Sequence, residues 1–238
     1  MAPSPQRTPL SRQRALQAAV ELADNEGIDA VSMRNLAAQL SVVPMALYKH
    51  VLNKEDLLDG MVDVVIASYD PPVPDADWAS SVRTRILSAR RMLLRHPWAR
   101  QVIETRRRRS PSVLAYMDSL AGTFITGGFP ADLTHHVMHA LGHRIWGFSP
   151  EAFNDPVPGP SPVDPVEQER ILRQMADTYP NIVAIALDAS DGDLSAIGAS
   201  CDEQFEFEFT LDLLLDAFQR LHDSGWTSRR ALSTTRPA

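Results

Sequence analysis

The stretch SMRNLAAQLSVVPMALYKHVLNKEDLL, from Ser32 to Leu58, sets three helix-start signals in close succession, and few folds accept that spacing. Ser32 is a side-chain cap. Pro44 suits the first turn of a helix, where its missing N–H costs nothing. Asn53, followed by Glu55 and Asp56, opens a third segment with acidic residues where the helix dipole favours them. Counted from Met33, the apolar residues Leu36, Leu40, Val42 and Leu47 face inward or meet where two helices cross, and the small Ala37 lets their backbones approach. Met45, Ala46, Lys49 and His50 face outward with Tyr48 at the edge. Together they offer contact surface, hydrogen-bond donors and positive charge suited to base edges and phosphates. Arg34, at the start of the preceding helix, has the reach for bidentate contact with a guanine. Ser41 occupies a turn position where a left-handed backbone is easiest for glycine, at a cost on the order of 1 kcal/mol. Two readings fit this spacing: a helix-turn-helix that lies in a DNA groove, and an αα-hairpin buried in a larger bundle.

The surrounding residues supply more helices. Ala15, Ala19, Leu22 and Ala23 recur at helical spacing between Ser11 and Glu26, with Gly27 as the stop, and a fourth helix starting at Asn53 carries the chain to about residue 68. DPPVPDAD (70–77) then breaks the pattern as a linker or hinge. Beyond it the spacing predicts helices at about 78–96, 97–105, 110–126, 130–148 and 165–179. A proline-rich loop is predicted over 150–165 and a second loop at ASDGDLSAIGAS. FEFEF (205–209) alternates like a strand, but the pattern continues through TLDLLLDAFQRL between Asp202 and Gly225, too long for a typical strand, so it is read as helix. That helix carries apolar residues around a wide arc, with Phe207, Leu211 and Phe218 on one side and Phe205, Phe209 and Leu213 near another. Such an arc suits a central core helix or one shared with a second subunit. The expectation is an all-α fold without strands or internal repeats.

Composition narrows the function. No apolar run approaches the length of a membrane span, the polar opening residues carry no secretory signal, and a single cysteine, Cys201, leaves no intrachain disulfide. A cytoplasmic location away from membranes is expected. The net charge of −7 neither supports nor excludes DNA binding, because residues 1–62 are close to neutral and the excess negative charge lies beyond them. Gly-rich phosphate loops, G-x-S-x-G and H-E-x-x-H are absent, so no catalytic residue and no cofactor is assigned. An enzyme built from scattered His, Asp and Ser, and a helical dimer that binds proteins, remain as alternatives.

AVELADNEGIDAVSMRNLAAQLSV and LYKHVLNKEDLLDGM resemble the N-terminal domain of the tetracycline-repressor (TetR) family of transcriptional regulators, over about residues 11–66. More weakly, the segment led by Trp78, ETRRRRSPSVLAYMDSLAGTFITGGFPADLTHHVMHALGHRIWGF and FEFEFTLDLLLDAF resemble the C-terminal domain of the tetracycline-repressor branch. The resemblance implies a helix-turn-helix DNA-binding domain at 1–69, a linker at 70–77 and a larger helical ligand-binding and dimerisation domain at 78–238. It also implies that Arg34 reads bases, that Pro44, Met45 and Ala46 start the recognition helix, and that Tyr48, Lys49, His50 and Lys54 touch phosphate or sugar. The expected function is that of a homodimeric repressor of a palindromic operator on double-stranded DNA, released by a small molecule. Drug-sensing members carry a metal-coordinating His shortly before the Thr-Arg pair seen here as Thr105-Arg106; VIE (102–104) stands there instead, which argues against a metal-chelated tetracycline.

For the small molecule, Thr105, Met117, His139, His143 and Trp146 are candidate pocket residues. His135, His139 and His143 lie four apart on one helix, a spacing at which two imidazoles share a zinc ion; a pocket lining is the favoured reading and no metal is assigned. The run RRRR (106–109) reads first as a solvated face paired with acidic neighbours. Phosphate contact and attraction of an anionic ligand are the alternatives.

Overall fold

Side-chain caps start most of the helices in the computed structural model, which describes residues 9–73, 76–106, 109–146, 165–189 and 202–229. Ser11 accepts from the Arg14 amide at 3.2 Å and opens α1 (Arg12–Glu26); Ser32 accepts from Asn35 at 3.1 Å and opens α2 (Met33–Gln39). Pro44 begins α3 (Pro44–Leu47), and Asn53 accepts from the Asp56 amide at 2.9 Å to begin α4 (Lys54–Ala67). Asp77 caps α5 (Trp78–Arg95), which is followed by α6 (Trp98–Thr105) and by the Ser110-capped α7 (Pro111–Thr126). The remaining helices are α8 (Ala131–Trp146), α9 (Pro165–Thr178), α10 (Pro180–Ala189) and α11 (Glu203–Asp223), the last capped by Asp202. Each such cap contributes about 1 kcal/mol. No strand occurs among the described residues.

Three helix ends share one closure. After α7, Gly128 (φ 88°) lets the Phe129 amide reach the Phe124 carbonyl at 3.0 Å; after α11, Gly225 (φ 61°) lets Trp226 reach Leu221 at 3.1 Å. After α2 the same left-handed place is taken by Ser41 (φ 54°), with Val42 bonded to Ala37 at 2.9 Å and Ser41 to Ala38 at 3.0 Å. Its backbone groups are therefore satisfied at the α2–α3 turn although its Cβ is disfavoured there.

The described chain divides into two compact units. One contains Met1–Gly147 with Leu211–Ala238, the other Phe148–Thr210, in which α9 packs on α10. They do not part at the 70–77 linker: α4 packs on α1, α6 and α7, so the first four helices and α5–α8 share one unit. In it, Ala15, Ala19, Leu36, Leu47, Val51 and Leu57 are fully covered, and Phe124 anchors an aromatic cluster with Trp78, Phe129 and Phe218.

Several expectations shift. α3 ends at Leu47, not near Val51: His50 and Val51 both bond back to the Leu47 carbonyl, closing a turn that aims the chain at α4. A 3-10 turn at Ile28–Ala30 and the separate helix α10, restarted by Pro180, were not foreseen. FEFEF lies in α11 as the length argument required, with Phe207, Leu211, Leu215 and Phe218 buried and Phe205, Phe209 and Leu213 more than half exposed. The 150–165 loop lies outside the described residues apart from Pro165, which begins α9, and so does all of the second loop except Ala189, the last residue of α10.

Candidate DNA-reading surface and effector cavity

Around α3 covered and open residues separate, although Leu40 and Val42, also expected to face inward, are only half-buried. Leu36, Ala37, Leu47 and Val51 are turned in and covered, whereas Val43 is 68% exposed, Met45 71% and Leu52 77%. Large apolar side chains left this open on a turn of only four helical residues are costly for a packed hairpin but suited to thymine methyl groups and sugar edges. Arg34, Lys49 and Lys54 are exposed beside them, and Tyr48 is 46% exposed. Arg34, Lys49 and Lys54 form no ion pair among the described residues. His50 is half-buried and Ala46 lies partly covered on the same surface. All eight residues expected to meet DNA thus lie at the starts of α2, α3 and α4 or in the turn after α3.

A residue not singled out from sequence holds that turn. Arg12, the first residue of α1, grips the Asp56 carboxylate through two bonds of 2.9 and 2.8 Å and donates a third, of 2.9 Å, to the His50 carbonyl. The same carboxylate accepts from the Leu52 amide at 2.8 Å. Hydrogen bonding to Arg12 and to that amide holds the Asp56 carboxyl below its ordinary value, and the carboxylate raises Arg12. Asp24, further along α1, lies 2.8 Å from His96 Nδ1 and accepts from Trp98 Nε1 at 2.7 Å, tying α1 to the α5–α6 elbow.

The other face of α4 borders a cavity of about 1130 Å³. Its walls are Asp59, Val62 and Ile66 of α4, Ile103 and Glu104 of α6, Val113 to Ile125 along α7 and Thr134 to Ile145 along α8, so most of the lining is apolar. The Tyr116 and Thr134 hydroxyls are buried on these walls without a hydrogen-bond partner. Arg106, at the mouth of α6, donates to Glu55 at 2.7 Å and reaches Asp59 at 3.4 Å, so the end of α6 is clasped to the first turns of α4.

Comparison with known proteins places the whole arrangement. Residues 15–61 match the model for bacterial regulatory proteins of the tetR family, and residues 70–221 match the tetracyclin repressor-like C-terminal domain. The chain belongs to the tetracycline-repressor family. An HTH-type transcriptional regulator of Saccharopolyspora erythraea is 35% identical over 121 residues, 50% of this chain and 51% of that protein. The transcriptional repressor DrrR1 of Streptomyces coeruleorubidus is 35% identical over 113 residues, 47% of this chain and 42% of that protein. The match thus spans about half the length of these curated relatives. Among solved structures, ActR of Streptomyces coelicolor in its apo form is 25% identical, with a TM-score of 0.68 over 92% of this chain and 99% of that one; the same protein has also been solved with actinorhodin.

In this member of the tetracycline-repressor family, the residues expected to form a pocket divide between those on the cavity lining and those off it. Met117, His139 and His143 line the cavity, as does His135. Thr105 does not: its hydroxyl turns back to the Val102 carbonyl at 2.8 Å, and the neighbouring Arg106 lines the wall instead. Trp146 ends α8, and its side chain lies outside the described residues. The histidine column stacks with ring centroids 4.6 Å apart for His135 and His139 and 6.4 Å for His139 and His143, and among the described residues no three metal-ligating groups converge. Of the arginine run, Arg106 is paired and mostly buried, Arg109 is exposed beside Met117, and 107–108 lie outside the described residues. No described helix is long and apolar enough to cross a membrane.

Proposed function

We propose that this chain is a ligand-responsive repressor, which binds a palindromic operator as a homodimer and is released by a small molecule held in the α4–α6–α7–α8 cavity. The observation that carries this reading is that α4 has two duties. Leu57, Leu58, Met61 and Val65 are buried in the core of the reading head, while Asp59, Val62 and Ile66 face the cavity. The linkage follows: a ligand that fits only a displaced α4 lowers operator affinity by its differential affinity for the two arrangements, without touching DNA. In this reading α3 enters the major groove, Arg34 reads a base, Tyr48, Lys49, His50 and Lys54 hold phosphate or sugar, and the 70–77 segment is the hinge. The exposed Phe205, Phe209 and Leu213 stripe on α11 supports a homodimer, since water is a poor partner for three large apolar side chains on one helix. The names of the relatives, regulators and repressors, support it further.

The test is selection of bound fragments from random duplex DNA, then titration of the winner. A palindromic winner is expected. Arg34→Ala should weaken it by about 1–3 kcal/mol and relax preference at one base. Lys54→Ala should weaken all sequences alike and reduce the salt slope by about one. If no fragment is enriched, the head is an ordinary helical hairpin and the reading fails.

A further inference from the structure

Behind Tyr116 the cavity wall holds a cation that no carboxylate neutralises. Arg85, in the middle of α5, is 3% exposed. Its Nη1 donates to Ser119 Oγ at 3.0 Å, its Nη2 approaches the Tyr116 carbonyl at 3.5 Å, and its guanidinium carbon lies 4.9 Å from the Tyr116 ring centre. Its Nε has no partner, and no carboxylate faces it among the described residues. Burial accordingly pushes its pKa down. Tyr69 packs edge-on against Tyr116, with ring centres 5.1 Å apart, and both hydroxyls are buried and unpartnered. Burial raises the Tyr116 phenol to about 12 and Tyr69 higher still, so both stay protonated donors at neutral pH. One buried cation and two buried phenol O–H groups thus lie together with no carboxylate beside them among the described residues, although a buried charge is normally paired and a buried hydroxyl normally bonded.

Resting on the reading of the cavity as the effector site, we propose that the effector is an acidic amphiphile whose apolar body fills the cavity and whose carboxylate or ionised phenol is taken by Arg85, Tyr69 and Tyr116. Tyr116 forms part of the cavity wall, while Arg85 and Tyr69 lie buried behind it and not on the lining, so the proposed capture requires the Tyr116 side chain to turn aside. Tyr69 follows the Ser68 cap of α4 and bonds back to the Ile66 carbonyl at 3.1 Å, so capture of the anion acts on the helix that carries the reading head. The rest of the cavity lining carries charged groups of its own. Arg106 is paired with Glu55 and Asp59, Glu104 is paired with Arg100, and Asp118 repels an anion. Arg109, against Met117, and the column His135, His139 and His143 are the remaining basic groups on its lining.

The experiment compares two probes with one apolar body, 8-anilinonaphthalene-1-sulfonate and the uncharged N-phenyl-1-naphthylamine, on the full chain. The sulfonate should bind at least about tenfold tighter, as one or two hydrogen bonds to a charged group require. Tyr69→Phe/Tyr116→Phe, which removes only two oxygens and keeps both rings, should cut that preference severalfold and leave naphthylamine binding unchanged. Arg85→Gln should abolish it. Equal affinity for the two probes, a preference that survives the double phenylalanine variant, or one that disappears in Arg109→Gln instead would overturn the site. Sequence-specific DNA binding is followed in the same samples. A protein that keeps the anion preference but binds no DNA leaves the site standing and removes the regulatory reading. Release of DNA by the sulfonate and not by the naphthylamine joins the two.

Discussion

The reading head and the cavity are built on opposite principles. In the head, Leu36, Ala37, Leu47 and Val51 are covered, and every residue with a proposed DNA role stands in a short run of sequence. In the cavity, side chains from four helices surround unfilled space, and polar groups on and behind its wall are left without partners. Rigid packing serves a surface that must keep its shape, whereas a site that must admit a guest tolerates gaps and unmet bonds.

That contrast is open to test by substitution. Leu47 is fully covered in the head, so Leu47→Ala should cost about 2–5 kcal/mol of unfolding free energy by chemical denaturation and abolish DNA binding. Met117→Ala, on a wall that already faces empty space, should cost under about 1 kcal/mol. Equal costs for the two would break the comparison. A smaller effect is expected at the clasp of the α3–α4 turn. Asp56 has its pKa lowered in the folded chain, so its contribution is present above the ordinary carboxylate value and is lost as pH falls through the lowered one. Arg12→Ala should therefore destabilise by about 1 kcal/mol or less at neutral pH, since the pair is partly solvated, and by progressively less as Asp56 protonates in acid. A pH-independent loss between neutrality and acid would show that Arg12 acts by packing alone. Smallest of all, Ser41→Gly should stabilise by a few tenths to about 1 kcal/mol, seen as a rise in melting temperature, because it removes a Cβ from a left-handed turn.

The head was legible because its signals are local. Ser32, Pro44 and Asn53 mark helix starts by chemistry that acts within three residues, and the spacing of Leu36, Ala37 and Leu47 specifies which face is buried. What escaped notice there depends on distant partners: Arg12 meets Asp56 across 44 positions, and the shortness of α3 follows from the turn that joins it to α4. The exposed Val43 and Leu52 look like core residues by type, and only their position reveals otherwise. The cavity was far less readable. Met117, His139 and His143 were found by their place on helices, but Thr105 was displaced by a back-bond to its own helix, and the cluster of Arg85, Tyr69 and Tyr116 has no sequence pattern because α4, α5 and α7 each supply one member or its neighbour. In α11, length overruled a strand-like alternation, which shows that an extended pattern outweighs a five-residue one.

The double duty of α4 bears on how such a protein diversifies. A head grafted from a relative and cut before α4 separates Arg12 from Asp56; a cut after α4 imports Asp59, Val62 and Ile66 and parts Arg106 from Glu55. Neither junction leaves both contacts with their original partners. In the proposed function, an exchange of the head at either end of α4 therefore disturbs the DNA-reading surface or the cavity along with it.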